Sequence, residues 1–358
     1  MKVGLIGLPL AGKTTIFNLL CGVNAPVSTY LSGKMEPNHG MARVADSRVD
    51  RLSEMYKPRK TIYAQIETTD LPGLRHSQGG GGNLFLQQVR QVDALVQVIR
   101  VFEGDVEHAD GTTDPLRDAD NVQAELLMAD IDLVEKRMER IREGRKVTSE
   151  QQSELVVLEK CLASLQEERP MAAISLTPLE QQLISHYGFL TQKPQLLVCN
   201  LDENQFKAGS FPGQMELVNW AGERGFLMIT LCAALEEEIS RLPSAERSLF
   251  LEDLGVKDPA AARLVNMMYS LIGQISFFTV GEDEVRAWTI ASGTEAKKAA
   301  GKIHSDLERG FIRAETASSE DLFAHGSMTK LKEKGLLRLE GKEYIVKDGD
   351  ILNIRFNV

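Results

Sequence analysis

Residues Lys2–Ile6 form a short apolar run of the kind that makes a buried parallel strand. A glycine-bounded loop follows, then a helical pattern over residues 14–20 that Gly22 is placed to stop. Residues 23–60 are rich in turn formers and predict a long mobile connector before a second strand-like segment at 61–69. Beyond the glycine-rich stretch 78–83, residues 84–92 read as a helix and 94–102, rich in Val and Ile, as a further buried strand. Strands alternating with helices predict an α/β sheet. From about 118 to 168 the chain becomes charged and poor in glycine. Ile131, Val134, Met138 and Ile141, then Leu155, Leu158, Leu162 and Leu165, recur every three or four positions on either side of residues 144–149. That spacing predicts an antiparallel helical hairpin with a coiled-coil seam; two amphipathic helices lying on the sheet fit the same pattern. Strand-like sequence resumes at Gln195–Asn200 and 226–231, so the helical region reads as an insertion into a discontinuous α/β domain. Past Ile275, alternating pieces at 277–280, 285–290, 344–346 and 351–356 predict a small β-rich domain. The expected division is therefore 1–117 and 191–275 for the α/β domain, 118–190 for the insertion and 276–358 for the last domain.

A chain of 358 residues exceeds what one hydrophobic core organises, in keeping with that division. With 43% hydrophobic and 26% charged residues it has the composition of a soluble globular protein. A net charge of -10 disfavours a protein that coats nucleic acid by bulk electrostatics and leaves RNA contact to local basic patches. The four cysteines are scattered, without a CxxC pair, so neither a zinc site nor a disulfide framework is indicated. The apolar start of the chain is interrupted by Lys13, Thr14 and Thr15, and no apolar run approaches the roughly 18 residues of a membrane span. A cytoplasmic protein without membrane contact is expected.

The strongest chemical signal is Gly7-Leu8-Pro9-Leu10-Ala11-Gly12-Lys13-Thr14, a complete GxxxxGK[ST] between a predicted strand and a predicted helix. The loop residues Leu8, Pro9, Leu10, Ala11 and Gly12 and the helix start through Thr15 would surround phosphate oxygens, all but Pro9 with a backbone N–H; Lys13 would span the outer phosphates and Thr14 would ligate Mg²⁺. Asp70-Leu71-Pro72-Gly73, at a strand end, fits the DxxG of switch-type hydrolases, with Asp70 toward the metal and the Gly73 N–H toward the terminal phosphate. Base recognition is expected after the next buried strand, at Asn200-Leu201-Asp202-Glu203. A guanine-reading loop would carry Lys at 201 and Asp at 203; with Leu and Glu there, guanine loses its bidentate acceptor. Cys232-Ala233-Ala234 would add small residues and backbone donors near the base.

Together, these segments with Gly81-Gly82-Asn83-Leu84-Phe85-Leu86 resemble the YchF/Obg-like ATPase family. Val285-Arg286-Ala287-Trp288-Thr289, Ala299-Ala300-Gly301-Lys302-Ile303-His304 and Gly310-Phe311-Ile312-Arg313-Ala314-Glu315 resemble that family's TGS domain, and the likeness spans the chain. It implies a Ras-like P-loop NTPase domain interrupted by a coiled-coil arm, followed by a ubiquitin-like β-grasp domain. It also implies preference for ATP through NxxE, Mg²⁺ as cofactor, and ribosome or RNA partners met by the arm and the TGS domain. Three positions depart from the family pattern. Leu10 stands where an Asn is usual, Pro72 where an Ala is usual, and Lys34 where the first switch, Lys34-Met35-Glu36-Pro37-Asn38 here, carries a Thr. Lysine cannot offer Mg²⁺ a hydroxyl and would repel it, leaving Thr29 or Ser32 to take over.

Leu74 occupies the position where many switch hydrolases orient water with a glutamine. Slow hydrolysis follows unless another group enters. The resemblance points to His108, in the polar loop 104–114, with His76 as rival. Three readings compete: a slow ATPase switch, a GTP-specific switch that Leu201 and Glu203 disfavour, and a nucleotide-binding adaptor that scarcely hydrolyses. Arg75 reads as solvated. Lys136, Arg137, Arg140, Arg142, Arg145 and Lys146 form a basic cluster at the arm's bend that suits RNA phosphate or a solvated helical face equally. Trp288 reads as core.

Overall fold

A computed structural model describes residues 1–27, 36–74, 81–104, 108, 111–253 and 258–357. The chain begins with β1 (Lys2–Ile6), α1 (Lys13–Cys21), β2 (Asn38–Arg43), α2 (Ser47–Tyr56), β3 (Lys60–Ile62), β4 (Gln65–Asp70), α3 (Gly81–Arg90) and β5 (Ala94–Arg100). The stretch 23–60, expected as a connector, therefore contains a strand and a helix. It carries little apolar sequence, but Asp46 caps α2 by accepting from the Arg48 N–H, and Val49 and Leu52 are buried. The segment expected as one strand at 61–69 is two, β3 and β4, which join different sheets.

Among the described residues the first sheet runs β2-β4-β1-β5-β6-β7, with β6 at Gln195–Asn200 and β7 at Leu227–Leu231. β1 pairs in parallel with β4 and β5, β5 with β6, and β6 with β7. Every residue of β5 and β6 is buried, which is why both are mostly apolar and do not alternate, with Gln97, Arg100, Gln195 and Asn200 as buried polar members. In such a sheet ligands gather beyond the carboxyl ends of the strands, where the phosphate loop, Asp70 and Asn200 all lie.

Between β5 and β6 the chain makes α4 (Pro115–Arg142) and α5 (Ser149–Gln166). Asp114 caps the first with Pro115 in its opening turn, and Thr148 with Gln151 forms a capping box on the second. Val134, Met138, Ile141, Leu155, Leu158 and Leu165 pack into one cluster, with Ile131 and Leu162 at its margin. The two helices thus pack on one another, as a hairpin requires. The root of α4 is different: Val122 and Leu126 join the core beneath the sheet's helices, so the hairpin is continuous with the domain that carries it. Fully buried Asp130 fixes that junction by accepting from Leu190 N–H at 3.0 Å and from Thr191 N–H and Oγ1 at 2.8 and 2.9 Å. Burial raises its carboxyl above the usual range, and these donors and Arg90 work in the opposite direction. Of the basic residues at the bend, Lys136 pairs with Asp132, Arg137 with Glu154 and Arg142 with Glu159, while Arg140, Arg145 and Lys146 are exposed.

The first unit also contains α6 (Pro178–Ile184), whose Ile184 packs with the hairpin, and α7 (Glu203–Ala208), α8 (Gln214–Glu223), α9 (Ala233–Arg241) and α10 (Ser244–Asp253), while nearly all of α11 (Ala260–Leu271) belongs to the second unit. A second sheet runs β11-β10-β12-β8-β9-β3, from β8 (Gln274–Val280), β9 (Glu284–Ala291), β10 (Phe311–Ser318), β11 (Arg338–Glu340) and β12 (Asp350–Phe356). Without β3 this is the strand order of a ubiquitin-like β-grasp, with α12 (Ala296–Ile303) burying Ala296, Ala299 and Ala300 against Phe277 and Phe311. Residues 344–346, expected as a strand, make an isolated bridge from Ile345 to Glu295. Trp288 stacks near Phe277 and donates to Thr279 Oγ1 at 2.9 Å, a packed position.

By contacts the chain divides into Met1–Gly40 with Glu67–Ala261, and Met41–Ile66 with Ala262–Val358. The sequence-based boundaries had placed 41–66 with the nucleotide domain. Those residues go with the second unit because β3 pairs in parallel with β9 and because Arg48 bonds Asp348 at 2.7 Å.

Candidate nucleotide site

The phosphate loop departs from β1 at Gly7, whose missing side chain is required because a Cβ would collide with the Val98 carbonyl. Gly12, at φ 91°, ends the loop and caps α1; here a Cβ would meet Asn200 Nδ2. Between them Leu10 adopts φ 61°, a left-handed conformation that Asn takes more readily than Leu. Leu8 and Ala11 are buried, while Pro9, Leu10, Thr14 and Thr15 are half-buried.

Lys13 is only 7% exposed, and its ammonium donates to the carbonyls of Leu8 at 2.8 Å and Gly7 at 3.2 Å. Burial pushes it down to about 8, partly offset by the Asp70 carboxylate. Thr14 Oγ1 donates to Asp70 Oδ2 at 2.8 Å, which brings the two expected metal residues together. Asn38 Nδ2 reaches the same oxygen at 2.9 Å, a contact the sequence reading missed although it named the residue. Asp70 Oδ1 is buried without a hydrogen-bond partner among the described residues. A hard hydroxyl and carboxylate pair with one orphaned, buried oxygen fits Mg²⁺, which prefers few protein oxygens and keeps its waters.

Gly73 lies against the phosphate loop, where a Cβ would stand 2.8 Å from Pro9 Cα, and the Leu74 N–H donates to the Gly7 carbonyl at 3.0 Å. Leu74 is thus positioned by its backbone. Its side chain, expected in the catalytic pocket, is instead buried in the core with Leu71, Phe85 and Val89, since an isobutyl group gains more by packing than by facing phosphate. His76, Arg75, Thr29, Ser32, Lys34 and Met35 lie outside the described residues.

His108, the histidine to which the resemblance points, is drawn into the protein although its loop is polar in sequence. It is 7% exposed, and its Nε2 pairs with Asp118 Oδ2 at 2.7 Å. Asp118 sits in the first turn of α4, and its other oxygen accepts from Arg117 Nη2 at 2.8 Å. Burial raises the Asp118 carboxyl, with Arg117 and His108 opposing. An acid in a helix's first turn is so common that nothing in the sequence singled out Asp118 as its partner.

Asn200, 4% exposed, ties three segments. Its Nδ2 donates to the Ala11 carbonyl at 3.2 Å, its Oδ1 accepts from the Ala233 N–H at 3.1 Å, and its carbonyl accepts from the Val101 and Phe102 N–H groups. The Ala233 N–H, expected to face the base, is therefore already used. Cys232 and Ala233 are buried at the start of α9, and burial raises the Cys232 thiol. Leu201 is also corrected: its side chain packs with Phe211 and Leu217, and its N–H bonds the Leu231 carbonyl. Glu203 opens α7 with its side chain 59% exposed, bonded to Lys207 at 2.7 Å. Asp202 caps that helix through a box with Gln205.

Known proteins resemble this chain over its whole length. Residues 2–158 fit a family model described as a 50S ribosome-binding GTPase, and residues 274–357 fit the model of the YchF GTPase C-terminal domain, described as a protein of unknown function. The chain is 39% identical over 364 residues to the "Ribosome-binding ATPase YchF" of Bacillus subtilis, covering 100% of both. It is 38% identical over 362 residues to the protein of that name from Escherichia coli O157:H7, covering 100% of this chain and 99% of the other. The solved structure of the Schizosaccharomyces pombe YchF GTPase superposes with a TM-score of 0.85 at 30% identity, over 99% of this chain and 97% of that one. With both domains matched end to end at this identity, the chain belongs to the YchF family.

Proposed function

We propose that this chain is a Mg²⁺-dependent nucleotide switch that hydrolyses ATP slowly and works in association with the ribosome. The observation that carries the reading is the convergence of Lys13, the Thr14–Asp70 pair, Gly73 and the Asn200 tie around one loop. In this role Lys13 exchanges two carbonyls for the outer phosphates, whose charge stabilises the ammonium that burial disfavours. Thr14 and Asp70 hold the metal, which when bound neutralises phosphate charge. The Gly73 N–H meets the terminal phosphate. ATP is favoured over GTP because position 201 offers a core leucine and position 203 a glutamate one methylene longer than the aspartate guanine requires.

Leu74 leaves the attacking water without a side-chain partner, and we assign that task to His108. To reach it, the imidazole must leave Asp118, so hydrolysis is slow in the arrangement described. The same locked pair favours a second reading, a nucleotide-binding adaptor with little turnover. Single-turnover hydrolysis at saturating Mg·ATP separates the two. Loss of a genuine catalytic histidine in His108→Ala should slow the step roughly 10² to 10⁴-fold. A His108→Ala rate equal to wild type, with His76→Ala impaired, would move the role to His76; no loss in either favours the adaptor.

The ribosomal association rests on the names of the relatives, and the exposed Arg140, Arg145 and Lys146 at the arm's bend supply cations for RNA phosphate. The same ribosome-binding names support a cytoplasmic site of action; among the described residues no helix is long and apolar enough to cross a membrane. Co-sedimentation with ribosomes, with and without ATP, tests it; absence of the protein from the ribosomal pellet in both conditions contradicts it.

A further inference from the structure

A nucleotide switch needs a residue in its first switch segment that reports on the metal, and the expected position, Lys34, carries a cation unsuited to that task. We propose that Asn38 is the positioning residue that ties this segment to the Mg²⁺ ligand Asp70, a proposal that rests on the phosphate-loop reading of the site. Asn38 Nδ2 and Thr14 Oγ1 both donate to Asp70 Oδ2, at 2.9 and 2.8 Å, while Asp70 Oδ1 is buried and unpartnered among the described residues. A hydroxyl that meets a cation through an oxygen lone pair keeps its proton, so Thr14 can ligate the metal and still donate to Asp70 Oδ2. Asn38 is the second donor on that oxygen, and the two together hold Oδ2 and keep Oδ1 aimed where it stands. A neutral amide does this without adding charge that would compete with the metal.

The backbone around Asn38 is suited to such a task. Asn38 opens β2, which neighbours β4, and Asp70 is the last residue of β4. The next residue, His39, places Nδ1 3.1 Å from Thr69 Oγ1. Gly40 then backs onto α1 so closely that a Cβ would stand 2.7 Å from Cys21 Sγ and 3.0 Å from Phe17 Cζ. Three consecutive residues are therefore fixed by an amide, an imidazole and a bare backbone. Glu36 and Pro37 lead directly into this clamp, so the backbone there and the Asp70 carboxylate are coupled through one side chain.

The test measures the gain in affinity for the non-hydrolysable analogue AMP-PNP when EDTA is replaced by Mg²⁺. Partners that orient metal ligands are typically worth 10- to 100-fold in metal affinity, so Asn38→Ala should cut this gain by that factor while affinity in EDTA stays within about twofold. Asn38→Gln keeps a carboxamide donor and should recover most of the gain, which a merely structural role would not predict. Thermal melting without nucleotide checks that each variant is folded. A full Mg²⁺ gain in folded Asn38→Ala overturns the proposal, as does an equal loss in EDTA and Mg²⁺. Failure of wild type itself to bind AMP-PNP would instead sink the phosphate-loop reading beneath it.

Discussion

Replacing Asn200 by alanine removes two hydrogen bonds that the structure places between segments distant in sequence, to the Ala11 carbonyl at 3.2 Å and from the Ala233 N–H at 3.1 Å. Each is worth about 1 kcal/mol net. Ala233 is only 2% exposed, so its N–H would also be left buried without a partner, at a further cost of about 1–3 kcal/mol. The sum, about 3–5 kcal/mol, should appear as a lower urea midpoint with an unchanged slope. Because one of the lost bonds ends on the phosphate loop, the stabilisation conferred by ATP should shrink as well; for wild type it is about 2.7 kcal/mol at a hundredfold excess over Kd. Asn200→Asp adds a control. Its carboxylate can still accept from Ala233 but opposes the Ala11 carbonyl, raising its folded pKa, so the lost stability should return as pH falls and the acid regains a proton to donate. Stability of Asn200→Ala within about 0.5 kcal/mol of wild type, with full stabilisation by ATP, would refute the reasoning.

Two further outcomes follow from the loop itself. Burial holds the Lys13 ammonium near 8 rather than its ordinary 10.5, so between those values the unfolded chain binds more protons and stability rises with pH. Nucleotide-free Lys13→Met should therefore be more stable than wild type at pH 7 in urea melts, with the difference shrinking from about pH 8 upward; a constant difference to pH 10 contradicts this. Leu10→Asn should gain about 1 kcal/mol by relieving the left-handed conformation, measured as a higher melting temperature without nucleotide, and a loss would show that the side chain's contacts outweigh the strain.

Much of the first sheet was legible because strands buried on both faces cannot alternate: β1 and β6 read directly as apolar runs. The phosphate loop was legible because its glycines answer backbone approaches that no side chain tolerates, to Val98 at Gly7 and to Asn200 at Gly12. The hairpin's seam was readable from spacing, but the buried root of α4 was not, since Val122 and Leu126 serve another core with the same periodicity. β2, α2 and β3 were hidden for a related reason. Their sequence is mostly polar, and they are held by a cap on Asp46, by pairing with β9 and by the Arg48–Asp348 ion pair. Site residues were recognised as types, whereas their orientation was not: Leu74 and Leu201 turn into cores, the Ala233 N–H is taken by Asn200, and His108 is locked on Asp118. Each of these depends on a partner far along the chain or on an unremarkable acid, and no local pattern encodes it.

The central claim is a triphosphate site built on Lys13 that takes ATP at least as well as GTP. Calorimetric titration with Mg·ATP and Mg·GTP, on wild type and on Lys13→Ala, tests it most directly. ATP should bind at least as tightly as GTP, and tight triphosphate binding should vanish in the folded Lys13→Ala protein. Undiminished affinity in that variant, or GTP binding much more tightly than ATP to wild type, would contradict the account.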